Sequence, residues 1–276
     1  MDARLQRRIQ RYGWDKAANH YEDGWQESLA PVHARLLDIA DAKPGETVLD
    51  IACGTGLVTF PIAEAVTTSG HVIATDISAT MIDIISSRAS ELGAQHVDAF
   101  RADAENLAEI DDKTVDLVTC ALGLMYFPEP EAAMAEILRV LKPGGRMVCS
   151  VWGARTACGW ADIFPIVDAR VNSSVCPMFF RLGTGDTLVN EMTSLGVSDI
   201  ASERMDVHLP FRNDQLAADA AFLGGPVALA YARFEEADKL EARQDYLDSI
   251  AHYLTPQGYR VPGEFVLVSG TKQVWQ

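Results

Sequence analysis

Glu46-Thr47-Val48-Leu49-Asp50-Ile51-Ala52-Cys53-Gly54-Thr55-Gly56-Leu57-Val58 is the stretch from which the fold is read. Its first half is apolar and β-branched, as a buried strand is. It then breaks into Gly54-Thr55-Gly56, and an apolar run of helical character follows. A strand, a glycine turn and a helix in that order place the turn at the carboxyl end of a parallel strand. Ligands of open α/β sheets bind at that edge. Two glycines there lack Cβ atoms and would let a ligand approach the backbone.

Working outward, Asp50 ends the strand four residues before Gly54. A dinucleotide fingerprint requires Gly-x-Gly-x-x-Gly, and Thr59 stands where the third glycine belongs. That departure disfavours an NAD(P)-dependent oxidoreductase, the alternative of a different class. Val48-Leu49-Asp50-Ile51-Ala52-Cys53-Gly54-Thr55-Gly56 instead resembles the first motif of the class I S-adenosyl-L-methionine (SAM)-dependent methyltransferases. In that family the turn receives the methionine end of SAM.

The following segments keep to the same pattern. His71 to Asp76 reads as the second strand. Asp76 lies about 20 residues after Gly56, the distance at which an acidic residue reaches a ribose. A carboxylate suits a diol because it only accepts hydrogen bonds. Ser78 is a candidate N-cap for a helix carrying Met81, Ile82, Ile85 and Ala89, closed by Gly93. A third strand is expected at Val97 to Ala102, before Asp103, and a fourth at Val115 to Ala121. Leu141-Lys142-Pro143-Gly144-Gly145 is a helix stop and turn into a fifth strand, Arg146 to Trp152. This pattern, too, is similar to that of the methyltransferases.

The resemblance covers about residues 44 to 152 and is strongest to the small-molecule branch that includes the ubiquinone/menaquinone-pathway C-methyltransferases. It implies a methionine pocket at Asp50, Gly54 and Gly56, a ribose partner in Asp76 and an adenine wall at Ile77. Asp103 would accept from the adenine amino group. Ala52, Thr55, Met81, Ala104 and Ala121 would complete the cofactor site, and Tyr21 would cover it.

The flanks are read more coarsely. Residues 1–42 form a helical cap, with a second helix starting at Pro31. Trp14, Tyr21 and Trp25 stand seven and four residues apart and share one helix face, fit either for packing or for covering SAM. After the core at 43–152, residues 153–276 complete the sheet and carry lid insertions near 153–183 and 210–260. A helix is expected from about Asp186 to Leu195, a strand near Ala201 to Leu209, two or three helices over 213–256, and a last strand from Glu264 to Lys272. The expected class is α/β: a Rossmann-like, seven-stranded, mostly parallel sheet with one antiparallel edge partner, helices on both faces and helical lids.

Composition narrows the acceptor. The 276 residues are 48% hydrophobic and carry a net charge of -16, which repels a phosphate backbone. The loop Leu122 to Pro128 lacks the Asp/Asn-Pro-Pro-Tyr/Phe of enzymes that methylate DNA amino groups. A small, partly apolar molecule is expected, and no nucleic acid. Arg4, Arg7, Arg8 and Arg11 read as a solvated helix face. Five cysteines without a CxxC pair read as small hydrophobes of a reduced, cytoplasmic protein, with no metal site. No apolar run is long enough to span a bilayer.

Methyl transfer is an in-line displacement, so alignment and exclusion of water matter most, and no obligatory catalytic dyad is expected. His20, Tyr21 and Tyr126 are the candidates for proton transfer or positioning. Tyr126, Trp160 and Phe179 are the candidates for holding the acceptor. Two rivals share the cofactor pocket. One is a SAM-binding regulatory or scaffold protein. The other is a thiol-relay arsenic methyltransferase, which would need Cys158 and Cys176 to converge on the acceptor.

Overall fold

The computed structural model describes residues 2–171, 176 and 178–274. The long helix α1 (Ala3–Ala40) leads into β1 (Thr47–Ile51), α2 (Thr59–Val66), β2 (His71–Asp76), α3 (Ala79–Leu92) and β3 (Val97–Arg101). Then come β4 (Val115–Ala121), α4 (Pro130–Val140) and β5 (Leu141–Trp152). Strands β3-β2-β1-β4-β5 lie in that order, all parallel. β1 is central and buried along nearly its whole length, as a strand covered by helices on both faces must be.

Past β5 come α5 (Ile163–Asp168), α6 (Thr187–Ser194), β6 (Ser198–Phe211), α7 (Asp214–Phe222), α8 (Ala228–Tyr231), α9 (Glu236–Ile250), β7 (Leu254–Thr255) and β8 (Gly258–Thr271). β8 inserts antiparallel between β5 and β6. The seven strands expected from the sequence form the main path, and the two-residue β7 adds an eighth by pairing with β8 alone. Two helical insertions result, one between β5 and β6 and one between β6 and β7.

Two expectations change. Pro31 does not start a second helix; α1 runs through it. Proline removes one intrahelical hydrogen bond, but Leu29, Val32, Leu36 and Ala40 are buried and α1 packs on β4, β5, β6 and β8. Tertiary burial on both sides of the proline overrides the local break. The Lys142–Gly145 turn is present, but as a bulge within β5: Val115 pairs with Leu141, Leu117 pairs with Arg146, and Gly144 sits at φ +80°. No helix among the described residues is long and apolar enough to cross a membrane.

Candidate functional site

The glycine turn leaves β1 as the sequence predicts. Ala52 at the head of β1 has φ +55°, and Leu122 at the head of the neighbouring β4 has φ +58°. Both are left-handed positions that non-glycine residues rarely adopt, and such strain gathers at functional sites. Both residues line a cavity of about 1030 Å³, its open mouth included, at the carboxyl ends of the strands.

The two glycines do different work. A Cβ on Gly54 would project to within 3.9 Å of a Tyr21 ring carbon, on the cavity side. A Cβ on Gly56 would strike the Phe60 ring at 2.5 Å and Ile85 at 3.1 Å. Gly56 is not among the lining residues of either cavity at the turn, and its missing Cβ lets α2 and α3 close behind it.

Asp50 is 1% exposed and also acts behind the turn. Its two oxygens accept from Thr59 Oγ1 at 2.6 Å and Thr119 Oγ1 at 2.8 Å, tying β1 to α2 and β4. It borders a small second cavity together with Thr55, His33, Ala52, Gly54, Tyr21 and Ala121. Burial raises its carboxyl to about 6 against the hydroxyl contacts, with Asp76 adding to the rise. Burial also lowers the His33 imidazole to about 4. Sequence reasoning missed His33, the second histidine of the long helix that also carries His20, with no motif around it.

Asp76 closes β2 beside the turn. Its carboxylate accepts the backbone N–H of Gly54 at 3.0 Å and of Ser78 at 2.8 Å. A carboxylate has about four acceptor positions, so both oxygens can still receive ribose hydroxyls. Burial raises this carboxyl to about 6; the Ser78 and Gly54 amides pull it down and Asp15 pushes it up. Ser78 caps α3 by accepting from Met81 N at 3.2 Å.

The same cavity brings together Tyr21, Ala52, Gly54, Asp76, Ile77, Met81, Asp103, Ala104 and Ala121 from the expected cofactor set. These residues fit SAM: a close backbone approach at Gly54, a diol acceptor at Asp76, apolar walls at Ile77 and Met81, and a carboxylate at Asp103. Tyr126, Trp160 and Phe179 line the same cavity, Phe179 in ring contact with both of the others.

His20 is exposed and outside the lining, so it drops out as a proton-transfer candidate. Tyr21 and Tyr126 stay, but as neutral phenols. Burial, then Asp76 and Glu22, raise Tyr21; burial, then Cys176 and Tyr21, raise Tyr126. Trp14 joins them edge-on, its ring 5.9 Å from Tyr21 and 5.0 Å from Tyr126. Neither Cys158 nor Cys176 lines the cavity, so the convergence a thiol relay needs is not found.

Arg4 and Arg8 of the first basic cluster are exposed, as a solvated face requires, but Arg7 departs from that reading. Its guanidinium, one-quarter exposed, pairs with Glu105, with Asp103 at 3.2 Å and with Glu129 at 2.7 Å. Asp15 of the same helix accepts from Ser78 Oγ at 2.7 Å and Thr80 N at 3.2 Å, and Glu22 pairs with Arg88 at 2.8 Å. α1 is thus strapped across the part of the cavity that holds Asp76 and Asp103. Its charges gave no sign in sequence of partners 63 to 122 positions away.

Comparison with known proteins agrees with this geometry. Residues 32–163 match the model of the ubiE/COQ5 methyltransferase family. The chain is 35% identical over 134 residues to nocamycin O-methyltransferase of Saccharothrix syringae, covering 49% of this chain and 48% of that one. It is 34% identical over 126 residues to the demethylmenaquinone methyltransferase of Bacillus cytotoxicus, covering 46% and 53%. The chain thus spans about half the length of these curated relatives. The fold is shared with the [4+2]-cyclase SpnF, with a TM-score of 0.62 and 23% identity over 91% of this chain and 83% of that one.

Proposed function

We propose, for a chain whose core belongs to the class I SAM-dependent methyltransferases, that it transfers a methyl group from SAM to a small, uncharged, largely apolar acceptor. The observation that carries this reading is one cavity whose lining combines two unlike sets of residues. One set is Gly54, Asp76, Ile77 and Asp103; the other is Met125, Tyr126 and the rings of Trp25, Trp152, Trp160 and Phe179, which contact one another. Every charged lining residue, Arg7, Asp76, Asp103 and Glu105, belongs to the first set or to its strap.

Bound SAM supplies an electrophilic methyl on a sulfonium. The chain's own part is alignment and exclusion of water. Asp76 anchors the sugar, and the Ala52–Gly54 turn holds the amino-acid tail. Tyr21 and Trp14, carried by α1, cover the site, and the aromatic wall holds a flat acceptor against the methyl. Such positioning can supply roughly 7–11 kcal/mol of barrier lowering. The two neutral phenols can donate a hydrogen bond but have no readiness to take a proton, so the acceptor must arrive with a nucleophilic atom already available or with a proton easily lost.

The relatives named above carry different acceptors in their names, nocamycin and demethylmenaquinone. Shared core motifs therefore leave the acceptor to the lid residues. A SAM-binding scaffold has no use for the aromatic set, and the transferase reading accounts for both sets. The fold by itself hosts other reactions, as the cyclase shows.

Titration calorimetry tests the cofactor assignment. S-adenosylhomocysteine (SAH) is expected to bind, and Asp76→Ala to weaken it by about tenfold to a hundredfold, the loss of one or two charge-assisted hydrogen bonds. Undiminished affinity in Asp76→Ala would sink the ribose assignment. Binding of NAD in place of SAH would sink the proposal.

A further inference from the structure

The small cavity behind the glycine turn holds two groups with nothing yet to bind. His33, on α1, is 8% exposed and lines that cavity. Neither of its ring nitrogens has a hydrogen-bond partner among the described residues, and neither is closed off from a water molecule. With the side chain more than nine-tenths buried, the cavity is where those nitrogens are open. Burial lowers the imidazole to about 4, so at neutral pH the ring offers one N–H donor and one acceptor. The second group is the amino end of α2. Leu57 and Val58 line the same cavity, and Val58, at the cap position, gives the first turn no side-chain hydrogen bond. A helix amino end without a cap keeps free N–H groups and a partial positive charge, and both favour an anion.

Two further features narrow the ligand. The small cavity shares Tyr21, Ala52, Gly54 and Ala121 with the large one, so a ligand lying at the turn can extend into it. Asp50 also borders it, its oxygens already accepting from Thr59 and Thr119, and its charge favours an ammonium beside the anion. An anion and an ammonium on one short tail describe an α-amino acid. Resting on the methyltransferase reading, we infer that His33 is a cofactor-binding residue whose imidazole donates to the carboxylate of the amino-acid tail of SAM, between α1 and the amino end of α2. This bond fixes the tail behind the turn and with it the direction in which the sulfonium presents its methyl. Only ligands that carry the tail can form it.

The test uses the full chain, titration calorimetry at neutral pH, and two ligands, SAH and 5′-methylthioadenosine. The second keeps the adenosine and the thioether but ends in a methyl in place of the tail. His33→Leu is expected to weaken SAH by about tenfold to a hundredfold, the loss of a hydrogen bond to a charged group, and to leave methylthioadenosine within about twofold. His33→Gln keeps a donor and is expected to hold SAH within about fivefold of the native affinity. In the native chain the ring nitrogen-15 resonances of His33, assigned by their absence in His33→Gln, are expected to shift with SAH and not with methylthioadenosine. Unchanged SAH affinity in His33→Leu, the result expected if the cavity holds only solvent, would overturn the inference. Equal losses for both ligands would assign His33 to packing and overturn it too. Should His33→Leu not fold, the native resonances decide: a ring that ignores SAH overturns the inference. Failure of SAH to bind the native chain would instead overturn the methyltransferase reading, and this inference with it.

Discussion

Asp76 is where sequence and structure meet most closely. Its place after the second strand and its distance from Gly56 were readable, because a parallel strand must deliver its last residue to the ligand edge. Its titration was not, since that depends on burial and on Asp15 arriving from α1. Burial holds the carboxyl near 6, above the ordinary 3.8, so it is ionised at neutral pH and takes up a proton as pH falls through 6. In the proposed role an ionised Asp76 would accept from both ribose hydroxyls, and a protonated one would not. SAH affinity measured by calorimetry is therefore expected to hold steady above pH 7 and to weaken roughly tenfold by pH 5. A flat profile would place the sugar elsewhere. Gly56 gives a second residue-scale prediction. At φ +94°, with Phe60 2.5 Å from the Cβ it lacks, Gly56→Ala should destabilise the fold by about 1–3 kcal/mol in urea denaturation. An unchanged midpoint would mean that the turn and Phe60 yield more freely than the packing implies.

At the scale of elements, α1 departs furthest from its local reading. Its amphipathic stripe was visible in Trp14, Tyr21 and Trp25, but Pro31 argued for a break, and the arginines argued for solvent. Both arguments were local, and both lost to contacts with segments distant in sequence. Arg7 faces Asp103, Glu105 and Glu129 together, and the Glu105 side chain is only 3% exposed. Removing the arginine leaves three carboxylates facing one another. Arg7→Ala is expected to cost about 1–3 kcal/mol, felt mainly as faster amide exchange over the first turns of α1 and faster release of SAH. Exchange rates there equal to those of the native protein would show that the strap is held by the Asp15 and Glu22 contacts alone. The strands of the core were legible because each carries its own turn chemistry. β7 was not, because a two-residue strand has no period to read.

For the whole molecule, the division of labour follows chain position. The motif-bearing half up to Trp152 builds the cofactor end, and its residues lie close enough in sequence for their spacing to be informative. The aromatic part of the cavity lining is assembled from α1, the loop after β4, the end of β5 and the first insertion, and the second insertion adds Gly224, Gly225 and Pro226. No spacing rule connects Trp25, Trp152 and Phe179, so only the fold could bring them together. The net charge of -16 and the aromatic part of the lining, which carries no charged side chain, fit the small neutral acceptor proposed above. The central claim is that one crevice at the heads of β1, β2 and β4 grips adenosine at one end and presents its sulfur to an aromatic chamber at the other. A crystal structure of the chain grown with SAH tests it most directly. The account predicts both ribose hydroxyls within hydrogen-bond reach of Asp76 and the sulfur facing Tyr126 and Trp160. SAH bound away from Asp76, or with its sulfur turned from the aromatic wall, would contradict it.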